Sequence, residues 1–421
     1  MSKTLTSNTL FALVASIAMV SSGLYIWSQI NDAKSEVVAE IPTATSARVA
    51  TVEAQLAADP TNVNIALSLS ELYLQTIRET GDARLYEKID TVLTTAQSAR
   101  PTDARVLAKR AELANGRHEF NEGLELINEA LALDDTAATY YGIKTDAEIE
   151  LGQYEAAQQS LQKMVSLKPN FSSYTRIAYV RELYGDKEGA REALEAAISA
   201  GSVYTENIAW AHVEWGKLLF GTATDESKKQ FEQALALYPN YAPALEGLGR
   251  VAYDAGDKNE ALLYFTKAFE VLPIAQYATT LGDYYTLEKE VGKAEQYYTL
   301  ADLAYRDSKG VNVDLEYAYF LARHGDGGEA LTRASRAYDA RPSLFAAYTY
   351  AFALYKNNKL TEAEEKITEA MRIGEYDPDI VMLASTIYAA NNNTKQAESY
   401  AATAKNLSTY GALLNSTVFT N

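Results

Sequence analysis

The feature that most constrains this chain is a spacing between small residues. One column runs through Ala96, Ala130, Met164, Ala197, Ala234, Ala268, Ala301, Ala337, Ala370 and Ala404, in steps of 34, 34, 33, 37, 34, 33, 36, 33 and 34 residues. A second runs in parallel through Gly123, Ala157, Ala190, Ser227, Ala261, Ala294, Ala330, Ala363 and Ala397. A third holds Ala111, Thr145, Ala178, Gly216, Gly249, Gly282, Ala318, Ala351 and Ser385. Three columns sharing one period over about 300 residues mark an array of internal repeats.

Residues 242–273 show what one unit contains. Leu245, Leu248, Val251 and Ala252 mark the buried stripe of a first helix, and Ala261, Leu262, Phe265, Ala268 and Phe269 that of a second. Gly256-Asp257 breaks the chain between them, and Pro273 ends the unit because it cannot continue a helix. Pro101, Pro169, Pro239 and Pro342 close other units in the same way. A single hairpin of this size cannot bury its own apolar face, so the copies must stack.

This pattern resembles the tetratricopeptide-repeat family, whose unit is a 34-residue helix-turn-helix. Leu248-Gly249, Ala261, Phe265, Ala268 and Pro273 occupy the family's marked places, and about ten units fall between Thr61 and Leu407. The resemblance implies an all-α solenoid wound as a right-handed superhelix. Three departures stand out: an insertion around Glu79–Arg84, extra residues near Val203–Asn207, and a degenerate last unit with Ser385 and the Asn391–Asn393 turn, suited to a cap.

Residues outside the array set its surroundings. Thr4 to Asn31 carry no charged side chain, and Thr9–Trp27 is long enough at 1.5 Å per residue to cross a hydrocarbon layer. Residues 1–30 therefore read as an uncleaved signal anchor with one transmembrane helix. The alternative is a cleaved signal, which would leave the protein secreted. Lys3 favours a cytoplasmic amino terminus, with the repeats on the extracytoplasmic side. Residues 31–46 read as a linker and 47–60 as a lone helix capping the array at 61–407. Residues 408–421 form an uncharged tail. This layout is similar to that of membrane-anchored, envelope-located repeat proteins of bacteria.

Composition narrows the function. With 38 basic against 56 acidic side chains, net charge −18 opposes contact with nucleic acid. No cysteine is present, so thiol catalysis and cysteine metal sites are excluded. The histidines His118, His212 and His324 fall in separate units without metal-ligand spacing, and those at 118 and 324 read as surface residues near turns. Gly325–Gly328 lacks the lysine of a phosphate loop. The expectation is a protein with no catalytic residues, metal or cofactor.

Binding is then expected on the concave face, which in the family is lined by first helices. That face maps to Arg105, Ala108, Glu112, Asp146, Tyr179, Glu182, Glu246, Arg250, Tyr253, Asp283, Tyr319, Tyr348, Phe352 and Tyr355. Several are among the chain's 30 tyrosines, which suit a protein or peptide partner but equally suit packing between neighbouring first helices. The lysines and asparagines with which some relatives clamp a carboxylate are missing from this face. The sequence thus reads as a non-catalytic membrane-anchored scaffold; the alternative is a self-assembling repeat protein that stacks end to end.

Overall fold

A computed structural model describes residues 44–308, 310–373 and 378–403, and its elements follow the period read from the sequence. The expected membrane span, most of the linker and the tail lie outside the described residues. Every regular element among those residues is an α-helix. Helix α1 (Ala44–Ala58) stands alone, close to the expected 47–60. Ten hairpins follow: α2 (Val63–Thr80) with α3 (Leu85–Ala99), α4 (Ala104–Gly116) with α5 (Phe120–Leu133), and α6 (Ala138–Glu150) with α7 (Tyr154–Leu167). Next come α8 (Phe171–Leu183) with α9 (Lys187–Ala200), α10 (Thr205–Leu218) with α11 (Thr224–Leu237), and α12 (Ala242–Asp254) with α13 (Lys258–Val271). The last four are α14 (Ala275–Leu287) with α15 (Val291–Arg306), α16 (Asp314–His324) with α17 (Gly327–Ala340), α18 (Leu344–Lys356) with α19 (Leu360–Ala370), and α20 (Pro378–Ala390) with α21 (Thr394–Thr403). No described helix is long and apolar enough to cross a membrane.

Local chemistry explains where each hairpin bends. The first helix runs out at a residue of positive φ, glycine at 152, 185, 221 and 256, asparagine at 358 and 392. Where an aspartate immediately precedes the second helix, it caps that helix. Asp186, Asp257 and Asp326 accept the backbone N–H groups of Gly189, Glu260 and Glu329, each at 2.9 Å.

The small-residue columns lie where two helices meet. From Ala96 to Ala370 the first column is at most 3% exposed. The third column varies with the ring opposite it. A Cβ placed on Gly216 would come within 2.8 Å of Phe231, on Gly249 within 2.4 Å of Phe265, and on Gly282 within 2.4 Å of Tyr298. Where the second helix offers Ile127, Leu194 or Ile367 instead, the column carries Ala111, Ala178 and Ala351. Glycine and aromatic are thus one packing choice, alanine and aliphatic another.

The irregular steps have visible causes. The Glu79–Arg84 insertion extends α2 to 18 residues against 13 in α4. The 37-residue step is shared between the 201–204 connection, an extra residue in α10 and the Leu219–Ala223 turn, so part of the insertion lies beyond the expected Val203–Asn207.

Successive turns of the solenoid touch. Asn312 N–H donates to the Arg117 carbonyl at 2.9 Å, and the Asn312 carbonyl lies 2.9 Å from His118 Nδ1, 194 residues away in sequence. Further along, Tyr154 O–H accepts the Leu344 N–H at 2.7 Å across 190 residues, and Arg341 bridges Glu150 at 3.5 Å and Glu316 at 2.8 Å. Gly152 fits this seam twice over: its φ is +69°, and a Cβ there would sit 2.4 Å from the Pro342 carbonyl oxygen. The offsets across the seam, from 190 to 220 residues, mean that the coil returns on itself after about six repeats.

Candidate functional site

First helices α4, α6, α8 and α10 line the inside of the first turn and enclose a cavity of about 1150 Å³. Its wall includes Arg105, Ala108, Glu112, Asp146, Tyr179 and Glu182, which are the expected groove residues of the first four repeats. Tyr179 is 45% exposed and Trp210 36%, large for aromatic rings in so tightly packed an array. The 201–204 connection also reaches the wall, with Val203 the most exposed large apolar residue at 91%.

The cations of this wall are already engaged. Lys109 Nζ donates at 2.6 Å to both Glu71 and Glu112. Burial alone would lower the Lys109 value, but the two carboxylates hold the ammonium above the ordinary lysine range, and Lys109 in turn holds Glu71 below the usual carboxylate range against its burial. Arg176 forms a two-pronged pair with Asp146 at 2.8 and 2.5 Å. Arg105 binds Asp103 at 2.7 Å and Asn64 at 2.8 Å, and Arg78 donates to Gln75 at 2.7 Å. Glu206, 4% exposed, accepts the Tyr241 O–H at 2.6 Å.

The remaining groove expectations do not reach this cavity, and several are corrected by the structure. Glu246 is buried and holds Arg250; Tyr253 is buried and donates to Glu288 at 3.1 Å. Phe352 is fully buried and Tyr348 is 2% exposed, while Tyr319 and Tyr355 are half-buried against the same core. The reason is packing between successive first helices: the rings of Tyr253 and Tyr284 lie 6.1 Å apart, and those of Tyr319 and Tyr348 lie 5.8 Å apart. Asp283 is buried beside His324 at 3.0 Å and accepts the Tyr298 O–H at 2.9 Å. His324 is therefore no surface histidine: its side chain is 5% exposed and stacks on Tyr298 at 4.1 Å. Burial holds His324 below the ordinary histidine value, with Asp283 opposing it. His118 belongs to the seam, half-buried, stacked on Phe120 and 3.7 Å from Glu316.

Trp210, Glu206 and Glu214 were missed by the sequence reading, although the register points to the first of them. Trp210 stands six residues before Gly216, as Arg105 stands before Ala111. Among the described residues no group of three histidines and carboxylates could hold a metal ion.

Residues 138–171 match the tetratricopeptide-repeat family model, over the third hairpin and its boundary proline. The third hairpin is a tetratricopeptide repeat, and the other described hairpins share its period and its helix-turn-helix form. The chain's repeats are similar to those of YrrB, described as a TPR protein with an unusual peptide-binding site, at 22% identity over 44% of this chain and 94% of that one, with a TM-score of 0.31. They are similar also to PilW, a type IV pilus biogenesis factor, at 16% identity over 50% of this chain and 98% of that one, TM-score 0.41. A human IFIT1 dimer with m7Gppp-AAAA is matched at 14% identity over 82% of this chain and 71% of that one, TM-score 0.47. No curated protein matches the chain.

Proposed function

We propose that this tetratricopeptide-repeat protein is a non-catalytic scaffold that holds an extended segment of a protein partner in the cavity of its first five repeats. The observation that carries the reading is the pair of exposed rings, Tyr179 and Trp210, on the wall of a cavity large enough for several side chains. Aromatic rings give wide contact area at small entropic cost, which suits a peptide. The uncharged stretch at residues 9–27 supports a second part of the proposal, that the scaffold is tethered to a membrane with its repeats on the extracytoplasmic side of a cell envelope.

Selection of a random displayed peptide library on the full chain tests the site. Selected peptides should bind Tyr179→Ala and Trp210→Ala about tenfold or more weakly, with helix content unchanged. Leu263→Ala, on an exposed site of α13, should bind as the parent does. Parent-like binding by both cavity variants would remove the assignment. Membrane fractionation tests the tether: the full chain should sediment with membranes and a chain lacking residues 1–30 should not.

A further inference from the structure

The seam joins two unlike edges of the coil. From the second turn it takes junctions, where one hairpin ends and the next begins: Asn312 ahead of α16, Ala340 closing α17, Leu344 opening α18 and Arg372 just past α19. From the first turn it takes the bends inside hairpins, at Arg117, Asn121, Gly152 and Tyr154. The eighth hairpin thus rests on the second and the ninth on the third. The seventh keeps the same step, since a Cβ on Gly81, in the first bend, would lie 3.0 Å from Leu272 and 3.7 Å from Ile274. Ten described hairpins at about six to a turn leave two edges facing no other described hairpin. These are the junction edge of the first six and the bend edge of the last six.

The seam shows what such edges are made to meet. Ile373, three residues past Ala370 of the first small-residue column, is half-buried in one apolar cluster with Tyr154 and Leu344. Three residues past Ala130, Met164, Ala234 and Ala268 the same register holds Leu133, Leu167, Leu237 and Val271, which are 38–53% exposed. On the bend edge, Phe120 and Tyr154 open α5 and α7 and are buried. At their register Val291 opens α15 and is 64% exposed, and Leu360 opens α19 half-buried. Single exposed apolar residues are ordinary. Four in a row, at a register that the seam covers elsewhere, mark an interface, and the surface that fits this register in the seam is a bend edge of the same chain.

We infer that a second copy of this chain covers the row: the junction edge of one molecule stacks on the bend edge of the next, by the step the seam uses. In the seam the end of the ninth hairpin meets the bend of the third, six hairpins earlier. Carried across the join, as though the second copy continued the coil, that step sets the end of its third hairpin against the bend of the seventh. Leu167 then lies beside Val291, and in the same way Leu237 lies beside Leu360. Burial of these side chains drives the contact, and backbone groups at the bends fix its register, as they do in the seam. The two edges differ, so the joint is heterologous and each copy can take a neighbour at both ends, giving a row along the coil axis. What fills the cavity does not bear on this joint.

Thiols placed on the two edges of this cysteine-free chain test it. Full-length Leu167→Cys and Val291→Cys, in mild detergent to accommodate residues 9–27, are mixed in equal amounts and oxidised with copper phenanthroline. The mixture should yield a disulfide-linked dimer several-fold faster than either variant alone. It should also outpace Leu167→Cys mixed with Leu263→Cys, an equally exposed site in the middle of α13. Excess cysteine-free parent should suppress the cross-link, and an excess of the chain carrying both Leu167→Asp and Val291→Asp, blocked at both edges, should not. Circular dichroism of every variant should match the parent. Equal pairing with positions 291 and 263, fastest pairing of Leu167→Cys with itself, or suppression by the blocked chain as strong as by the parent would each overturn the joint. Library-selected peptides should bind the blocked chain as they bind the parent, so failure of the joint and failure of the peptide site are told apart.

Discussion

Tyr179 and Phe352 occupy the same place in their repeats, each one residue after the small residue of its first helix, Ala178 or Ala351. Yet Tyr179 is 45% exposed on a cavity wall, and Phe352 is buried completely. Nothing local to the two helices accounts for this. The later repeats bury Tyr253, Tyr284, Tyr317, Phe320 and Tyr348 in one core running from Ala252 to Ala397, in which Tyr253 meets Tyr284 and Tyr319 meets Tyr348 between successive first helices. The earlier repeats place Glu112, Asp146 and Arg176 inward, and charged groups that need water or partners hold the face open. One scaffold therefore carries a polar, hollow turn and an apolar, filled one.

The largest expected effect lies in the filled turn. Phe352→Ala should cost about 3–5 kcal/mol, read as a fall in denaturation midpoint, because it removes a fully buried ring. Binding of the library-selected peptides at temperatures where the variant is folded should hold. A loss of binding would couple the two turns more tightly than their separate packing implies.

Gly249→Ala should cost about 1–3 kcal/mol, since the new methyl would meet Phe265. Adding Phe265→Leu converts the hairpin to the alanine–aliphatic pairing used by Ala178 and Leu194, and a double-mutant cycle should show recovery of much of the loss. Additive losses would contradict the pairing of ring and glycine.

Acid should loosen the coil. Burial depresses both His118, on the seam, and His324, in the filled turn, with Glu316 and Asp283 opposing it. The folded state then binds fewer protons than the unfolded one once pH falls below about 6.5, so stability rises with pH up to that point and is lost on acidification. Each histidine should contribute up to about 1.4 kcal/mol per pH unit in that range, measured by urea denaturation at several pH values. His324→Gln, which removes one titrating group, should flatten the dependence. The smallest effect is expected from Leu263→Ala on exposed α13, within about 0.5 kcal/mol.

The sequence made the hairpins legible and left the cavity half hidden. Small residues such as Ala268 and Gly249 are chosen by contacts inside one repeat, so their spacing reports the fold directly. Tyr348 and Phe352 are chosen by the neighbouring repeat, and a helix-face projection cannot tell that contact from an open groove. His324 and His118 were beyond reach for a further reason. The former depends on a partner one repeat earlier, at Asp283, and the latter on Asn312, 194 residues away across the seam. Trp210 was within reach, because its register matches Arg105.

Because the chain has no cysteine, single thiols can report the contrast between the turns without background. Tyr179→Cys and Phe352→Cys, modified with a thiol reagent under native conditions, test it most directly. The account predicts that position 179 reacts near the rate of an open thiol and is shielded by a library-selected peptide, while position 352 reacts orders of magnitude more slowly until the protein unfolds. Similar rates at the two positions, with the variants folded by circular dichroism, would contradict it.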